Sequence, residues 1–313
     1  MVRLALLALA LAIAAETAAA QAPRSGARSQ GEAQPRRSTG REAQPRRSEV
    51  AQASEVARRV VSMNPSLTAM LLALGAREQI VGVDDWSGES GEELEGLPRV
   101  GGLSNPSLES VVALEPDLVV LVPSFEQRDF RARLGEVGIP VLALNPARFD
   151  EVLETIRALG AAVGRSEAAE ARVAAILGAR HAVEAAVRDL PRPTAVLVLQ
   201  REPLFVVGRG SFIDAMLASA GGINLGAATG ERYPRVALEW LVAGAPQVVL
   251  DASGDAEPAR EYWGRLPSLP AVREGRVVEL GPGTATLPGP WLDRALWILA
   301  RALHGPDLGT AAP

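Results

Sequence analysis

The chain contains no cysteine. Thiol nucleophiles, disulfides, zinc–thiolate centres, cysteine-ligated clusters and a thioether-linked lipid are therefore all excluded. Histidine is almost as scarce. His181 and His304 are the only two, and both read as surface or packing residues rather than as bases or ligands. Lysine is absent, so all 32 basic residues are arginine. With a net charge of −5, no bulk electrostatic case for nucleic acid exists. Nucleotide cradles are missing too. No G-x-G-x-x-G follows a strand and no G-x-x-x-x-G-K-[ST] occurs, Gly208-Arg209-Gly210 being too short to count. Nor is there a G-x-S-x-G nucleophile elbow. No catalytic residue and no metal ligand set is assigned.

What is present begins with a targeting segment. Arg3 provides a short basic region, Leu4 to Ala15 an apolar stretch, and Ala18-Ala19-Ala20 a cleavage site. The apolar run is shorter than the ~20 residues a membrane span needs, so residues 1–20 are expected to be a signal peptide cleaved near Ala20. The expected product is exported to the periplasm. Residues 21–55 differ in kind. GEAQPRRS at 31–38 returns as REAQPRRS at 41–48, and so polar a composition cannot bury enough surface to offset its ordering entropy. A disordered Arg/Pro-rich tether is expected there.

The folded part carries an internal repeat. LESVVALEPDLVV at 108–120 aligns without a gap on LEWLVAGAPQVVL at 238–250. Leu108, Glu109, Ala113 and Pro116 match Leu238, Glu239, Ala243 and Pro246. Each copy reads as a helix opening on a carboxylate, stopped near a proline and followed by a buried strand. A second pair, Ala69–Gly75 and Ala215–Gly221, keeps the same order, as does a weaker third, Val141–Leu144 and Val277–Leu280. Ordered internal repeats point to two related lobes.

Short apolar runs at Val60–Ser62, Ile80–Val83, Leu118–Val122 and Val141–Leu144, with Arg99-Val100 as a short extra strand, alternate with helical stretches at 65–74, 108–114 and 128–137. That pattern predicts a mostly parallel sheet. From Asp150 to Leu190 strand signals vanish. Gly164 interrupts the segment, Ser166 is placed to cap the following helix, and Pro191 and Pro193 end it. The αβ pattern then resumes to a last helix opened by Pro290. The expected fold is α/β: two Rossmann-like lobes, 56–148 and 192–305, joined by a backbone helix in 149–191, with 306–313 as a tail. The cleft between the lobes is the default ligand site.

Twelve aromatic residues occur, and several fall in loops after strands. Trp86, Phe125 and Tyr233 are placed to offer flat apolar walls to a large ligand, whereas Trp240, Trp263, Trp291 and Trp297 fall on helices. Asp84-Asp85 reads as part of a solvated loop.

The ordered set Val60–Thr68 (VVSMNPSLT), Ile80–Val83, Val100-Gly101-Gly102, Asn105–Glu109 (NPSLE), Leu114–Val119 (LEPDLV), Gly221–Asn224 and Leu238-Glu239 resembles the periplasmic binding proteins of cobalamin, haem and iron-siderophore ABC importers. Within that family the chain most resembles the cobalamin-binding branch. The resemblance implies two αβ lobes on a single long backbone helix, with limited hinge motion. It also implies a ligand-binding monomer with no cofactor of its own, whose ligand is a metal chelate such as cobalamin. One glutamate per lobe, Glu109 and Glu239, would contact arginines of a permease dimer. Trp86, Phe205 and Tyr233 match ligand-wall positions, and Leu103 falls where the cobalamin receptors carry another aromatic residue. Asn64, Pro65, Ser104, Phe125, Thr284 and Leu287 complete the expected lining. Arg201, Arg232 and Arg235 are the basic residues within reach of the cleft. An iron-siderophore or haem is the neighbouring ligand class. An exported enzyme on two Rossmann-like lobes is the reading from another class.

Overall fold

The computed structural model describes residues 56–308 apart from 90–91, 125–126 and 282. The expected signal peptide, the tether and Phe125 lie outside the described residues.

The first lobe opens on β1 (Val60–Ser62) and α1 (Pro65–Ala73), followed by β2 (Ile80–Val83). Asn64 caps α1 by accepting from the Ser66 N–H, with Pro65 at the first turn, where its missing N–H costs nothing. Gly75, at φ +71°, ends it. The Ala76 N–H reaches back to Leu71 O and the Gly75 N–H to Leu72 O, which satisfies the last carbonyls. Then follow α2 (Leu108–Ala113), β3 (Leu118–Leu121), α3 (Arg128–Glu136) and β4 (Val141–Ala143). The sheet runs β2-β1-β3-β4 and is parallel throughout. Arg99 makes only an isolated bridge to Val83. The strand expected at Arg99-Val100 does not form, because the chain turns away at Gly101, which has φ +89°.

Two helices fill the segment that lacked strand signals, α4 (Phe149–Ala162) and α5 (Ser166–Val187). They reverse at Gly164, φ +69°, a left-handed conformation that glycine adopts without a Cβ penalty. The expected cap at Ser166 is corrected: Arg165 holds the cap position and Ser166 is already helical. α5 has 22 residues, hence a length of ~33 Å.

The second lobe contains β5 (Thr194–Gln200), β6 (Phe205–Val206), α6 (Phe212–Ser219), β7 (Ile223–Asn224), α7 (Leu238–Gly244), β8 (Val248–Asp251), α8 (Ala259–Gly264), α9 (Pro270–Arg273), β9 (Val277–Glu279) and α10 (Leu292–His304). Its sheet runs β6-β5-β8-β9, with β7 also paired to β5 and only β6 antiparallel. The last helix starts later than Pro290 suggests. Trp291 takes the cap position and stays 44% exposed.

The repeat is structural. β3 lies between β1 and β4 as β8 lies between β5 and β9. Glu115 and Ala245, each one residue before the shared proline, both adopt the left-handed region, at φ 45° and 44°. Two residues on, Asp117 accepts from the Arg58 and Arg59 N–H groups at 2.8 and 3.0 Å, and Gln247 accepts from the Thr194 N–H at 3.0 Å. In both lobes this side chain anchors the start of the neighbouring central strand.

Each sheet buries both faces. Val61, Val119, Leu121, Phe130 and Leu134 form a core on the outer side of the first lobe. Val196, Val249, Trp263 and Leu269 do the same in the second. The opposite faces share one core. It passes from Val60, Leu67 and Leu71 through Ile156 and Leu159 of α4 and Val173, Ile176 and Val183 of α5 to Leu197, Phe212, Leu250 and Leu299. An Arg172–Asp293 ion pair further ties α5 to α10.

Candidate ligand cleft and docking faces

Parallel strands deliver their following loops to one rim, the place where open αβ sheets hold ligands. In the first lobe the loop after β2 carries Trp86. Asp84, 2% exposed, holds it: one carboxylate oxygen accepts from the Trp86 and Ser87 N–H groups at 2.9 Å each, and the other from the Ser87 hydroxyl. Thr68 Oγ1 lies 2.7 Å from Ser62 Oγ and 2.9 Å from Ser87 Oγ, so β1, α1 and this loop share one buried network. Burial pushes the Asp84 carboxyl above its ordinary value, partly offset by the hydrogen bonds from Ser87 and Trp86. Asp84 is therefore not the solvated loop residue expected. Its three acceptor bonds allow it to be buried.

Arg99 braces the same loop, donating to Asp85 O and Gly88 O at 2.6 Å each. The turn from Gly101 to Pro106 closes through Asn105, whose side chain accepts from the Gly102 N–H at 3.2 Å. A Cβ placed on Gly102 would stand 3.6 Å from Trp86 Nε1. This contact brings the turn bearing half-buried Leu103 and exposed Ser104 against the tryptophan. Asn64 and Pro65, half-buried, lie at the end of β1.

In the second lobe residues 232–235 run beside β6. Val206 N–H donates to Pro234 O at 3.1 Å and Gly208 N–H to Arg232 O at 2.8 Å, and Phe205 bridges Arg235. Gly208 permits this approach, because a Cβ there would sit 2.1 Å from Glu231 O. Phe205 and Tyr233 thereby sit on adjoining segments, both half-buried against the shared core. Thr284 and Leu287 follow β9, and both are half-buried. Thr284 lines a groove of about 800 Å³ between β9 and α10, together with Arg276, Arg301 and His304.

Arg201 is not a cleft cation. Its side chain is 4% exposed and pairs with Asp251 at 2.9 Å, donates to Glu257 O at 2.7 Å, and stacks 4.7 Å from the Tyr262 ring. Asp251 also accepts from Trp263 Nε1 and from the Ser253 N–H and hydroxyl. A buried aspartate thus organises a rim loop in each lobe. Sequence reading missed both, although each is followed within three positions by a serine, Ser87 or Ser253, that can turn back to it.

Glu109 and Glu239 are exposed in the first turns of α2 and α7. Ser107 caps α2 by accepting from the Ser110 N–H at 3.1 Å, whereas Ala237 offers α7 no side-chain cap. Among the described residues no group of three or more His, Asp or Glu is placed to hold a metal ion. No described helix is long and apolar enough to cross a membrane.

Two parallel αβ lobes on a shared helical spine, with aromatic side chains on the rim of each, define a solute-binding architecture. Residues 60–284 match the family model described as periplasmic binding protein. The chain belongs to that family. It is 28% identical over 218 residues to the vitamin B12-binding protein of Salmonella choleraesuis, which spans 69% of this chain and 81% of the relative. It is 30% identical over 258 residues to the cobalamin-binding protein of Halobacterium salinarum, at 79% of this chain and 69% of that one. The crystal structure of a periplasmic heme-binding protein from Pseudomonas aeruginosa superposes with a TM-score of 0.69 at 28% identity, covering 82% of this chain and 96% of that one.

Proposed function

We propose that this chain is the periplasmic solute-binding component of an ABC importer, that it takes a corrinoid in the cleft between its lobes, and that it delivers the corrinoid to a membrane permease. What supports the reading is that each lobe carries aromatic side chains on its strand-end loops, Trp86 beside the Leu103 turn on one lobe and Phe205 and Tyr233 on adjoining segments of the other. Flat apolar walls on two sides suit a broad macrocyclic ligand. The two relatives named for vitamin B12 and cobalamin favour the same ligand class. Capture requires no catalytic group. Glu109 and Glu239, one per lobe, offer carboxylates to arginines of a two-sided permease. On this reading residues 1–20 direct export and are removed, and the mature protein works as a monomer. Haem is the second reading, favoured by the 28% identity to the heme-binding neighbour.

Titration of the purified protein with cyanocobalamin, haem and a ferric siderophore tests the ligand. Cyanocobalamin is expected to bind at micromolar affinity or tighter and to quench tryptophan fluorescence. Trp86→Ala is expected to weaken it by about tenfold, the equivalent of one lost aromatic stacking contact. Binding of haem alone would move the protein to the neighbouring branch. Reversing both Glu109 and Glu239 to Arg is expected to abolish uptake and leave ligand affinity intact.

A further inference from the structure

Resting on the docking reading above, we infer that Val112 and Val242 are matched apolar contacts for the same two-sided membrane partner. Each lobe then docks through a Glu–Val–Ala footprint. The two copies of the repeat have the same exposure at every position from 109 to 120 and from 239 to 250. Within α2 and α7 the identical pairs are Leu108/Leu238, Glu109/Glu239, Val112/Val242 and Ala113/Ala243. The glutamates, valines and alanines among them are all exposed. Two positions differ, the buried one, Val111 in one copy and Leu241 in the other, and a half-buried one, Ser110 against Trp240. A repeat held only by folding would behave the opposite way, fixing its core and letting its surface drift. In these two helices every exposed position from 109 to 113 is shared, whereas in the turn that follows the exposed pairs Glu115/Ala245 and Asp117/Gln247 differ.

Val112 is 42% exposed and Val242 37%. Each stands three residues after its glutamate, so the two side chains occupy one helix face. Both helices begin at the strand carboxyl ends, α2 after the β2 loops and α7 after the segment bearing Tyr233. A partner that touches both footprints therefore lies across the mouth of the ligand cleft. The carboxylate supplies steering and register, and the valine beside it supplies apolar area removed from water. The complementary surface is a cation next to an apolar socket, presented twice by a partner with two equivalent halves.

The test measures docking of the ligand-loaded protein to a purified cobalamin-importer permease in nanodiscs, at several salt concentrations. Val112→Ser with Val242→Ser is expected to weaken docking about tenfold or more, as the loss of two buried valines implies. Its salt dependence should stay parental, and so should cyanocobalamin affinity. Glu109→Gln with Glu239→Gln is expected to weaken docking and flatten its salt dependence. Parental docking by the serine pair alongside weakened docking by the glutamine pair would overturn the inference and leave the docking reading standing. Parental docking by both would overturn the docking reading itself. Self-association of the parent protein that the serine pair abolishes would assign the faces to a second copy and also overturn the inference.

Discussion

Asp84 sits two residues before Trp86 and is almost wholly buried, so the charge that shapes the loop also costs desolvation. Burial raises its pKa, and the folded state therefore takes up a proton at higher pH than the unfolded chain does. Above the raised value the ionised carboxyl lowers stability relative to its protonated form. As pH falls through that value and then below the ordinary 3.8, this group's contribution rises to its full extent. Asp84→Asn keeps an oxygen for the Trp86 and Ser87 N–H groups and removes the titration. Thermal unfolding should show it more stable than the parent at neutral pH, with the difference shrinking on acidification. Asp84→Ala should lose about 1–3 kcal/mol for each buried donor left unsatisfied. The serine three positions on was legible, but the burial was not, and Asp84-Asp85 reads as a solvated pair. The bonds to Asp84 are local, from Trp86 and Ser87, but its burial depends on Thr68 and Arg99 packing that loop, and these are close in space and distant along the chain.

At the scale of elements the sequence was a good guide to most strands and helices, because β-branched runs such as Leu118–Leu121 are bounded by clear stops. It erred at ends. Ser166 and Pro290 both have the chemistry of helix starts, yet Arg165 and Trp291 hold the cap positions. Phe205 and Tyr233 were legible as aromatic residues but not as parts of adjoining segments, since that depends on residues 232–235 lying beside β6. The turn joining each repeated helix to its strand offers a direct check. Ala245 is held at φ 44° and ψ 55°, where a Cβ costs ~1–2 kcal/mol. Glycine would relieve that strain and lose some ~0.4–1 kcal/mol to greater freedom of the unfolded chain. Ala245→Gly is expected to raise stability by up to about 1 kcal/mol, read from the urea midpoint.

For the whole molecule, the repeat made two lobes visible in the sequence and the strand-free stretch 149–191 their helical join, but not the side-chain contacts where they meet. Phe212 of the second lobe donates its N–H to Ala147 O of the first at 3.0 Å. Arg180 of α5 stacks 4.8 Å from the Phe149 ring and bonds both Glu184 and Ser219. Burial at Glu184 acts to raise its pKa, but hydrogen bonds from Ser219 and Arg180 outweigh it and hold the carboxyl below its ordinary range. That small polar cluster joins α4, α5 and α6 where the lobes meet.

The core that runs unbroken from Val60 to Leu299 through α4 and α5 also bears on how the chain comes apart. A cut at residue 190 would leave each fragment with an apolar face that only the other can cover. Made separately, the fragments 56–190 and 191–308 should aggregate. Made in the same cell, they should assemble into a soluble, non-covalent heterodimer that still binds the ligand, and the uncut chain should melt in a single calorimetric transition. The two copies, alike as they are, would then have become obligate halves of one folding unit.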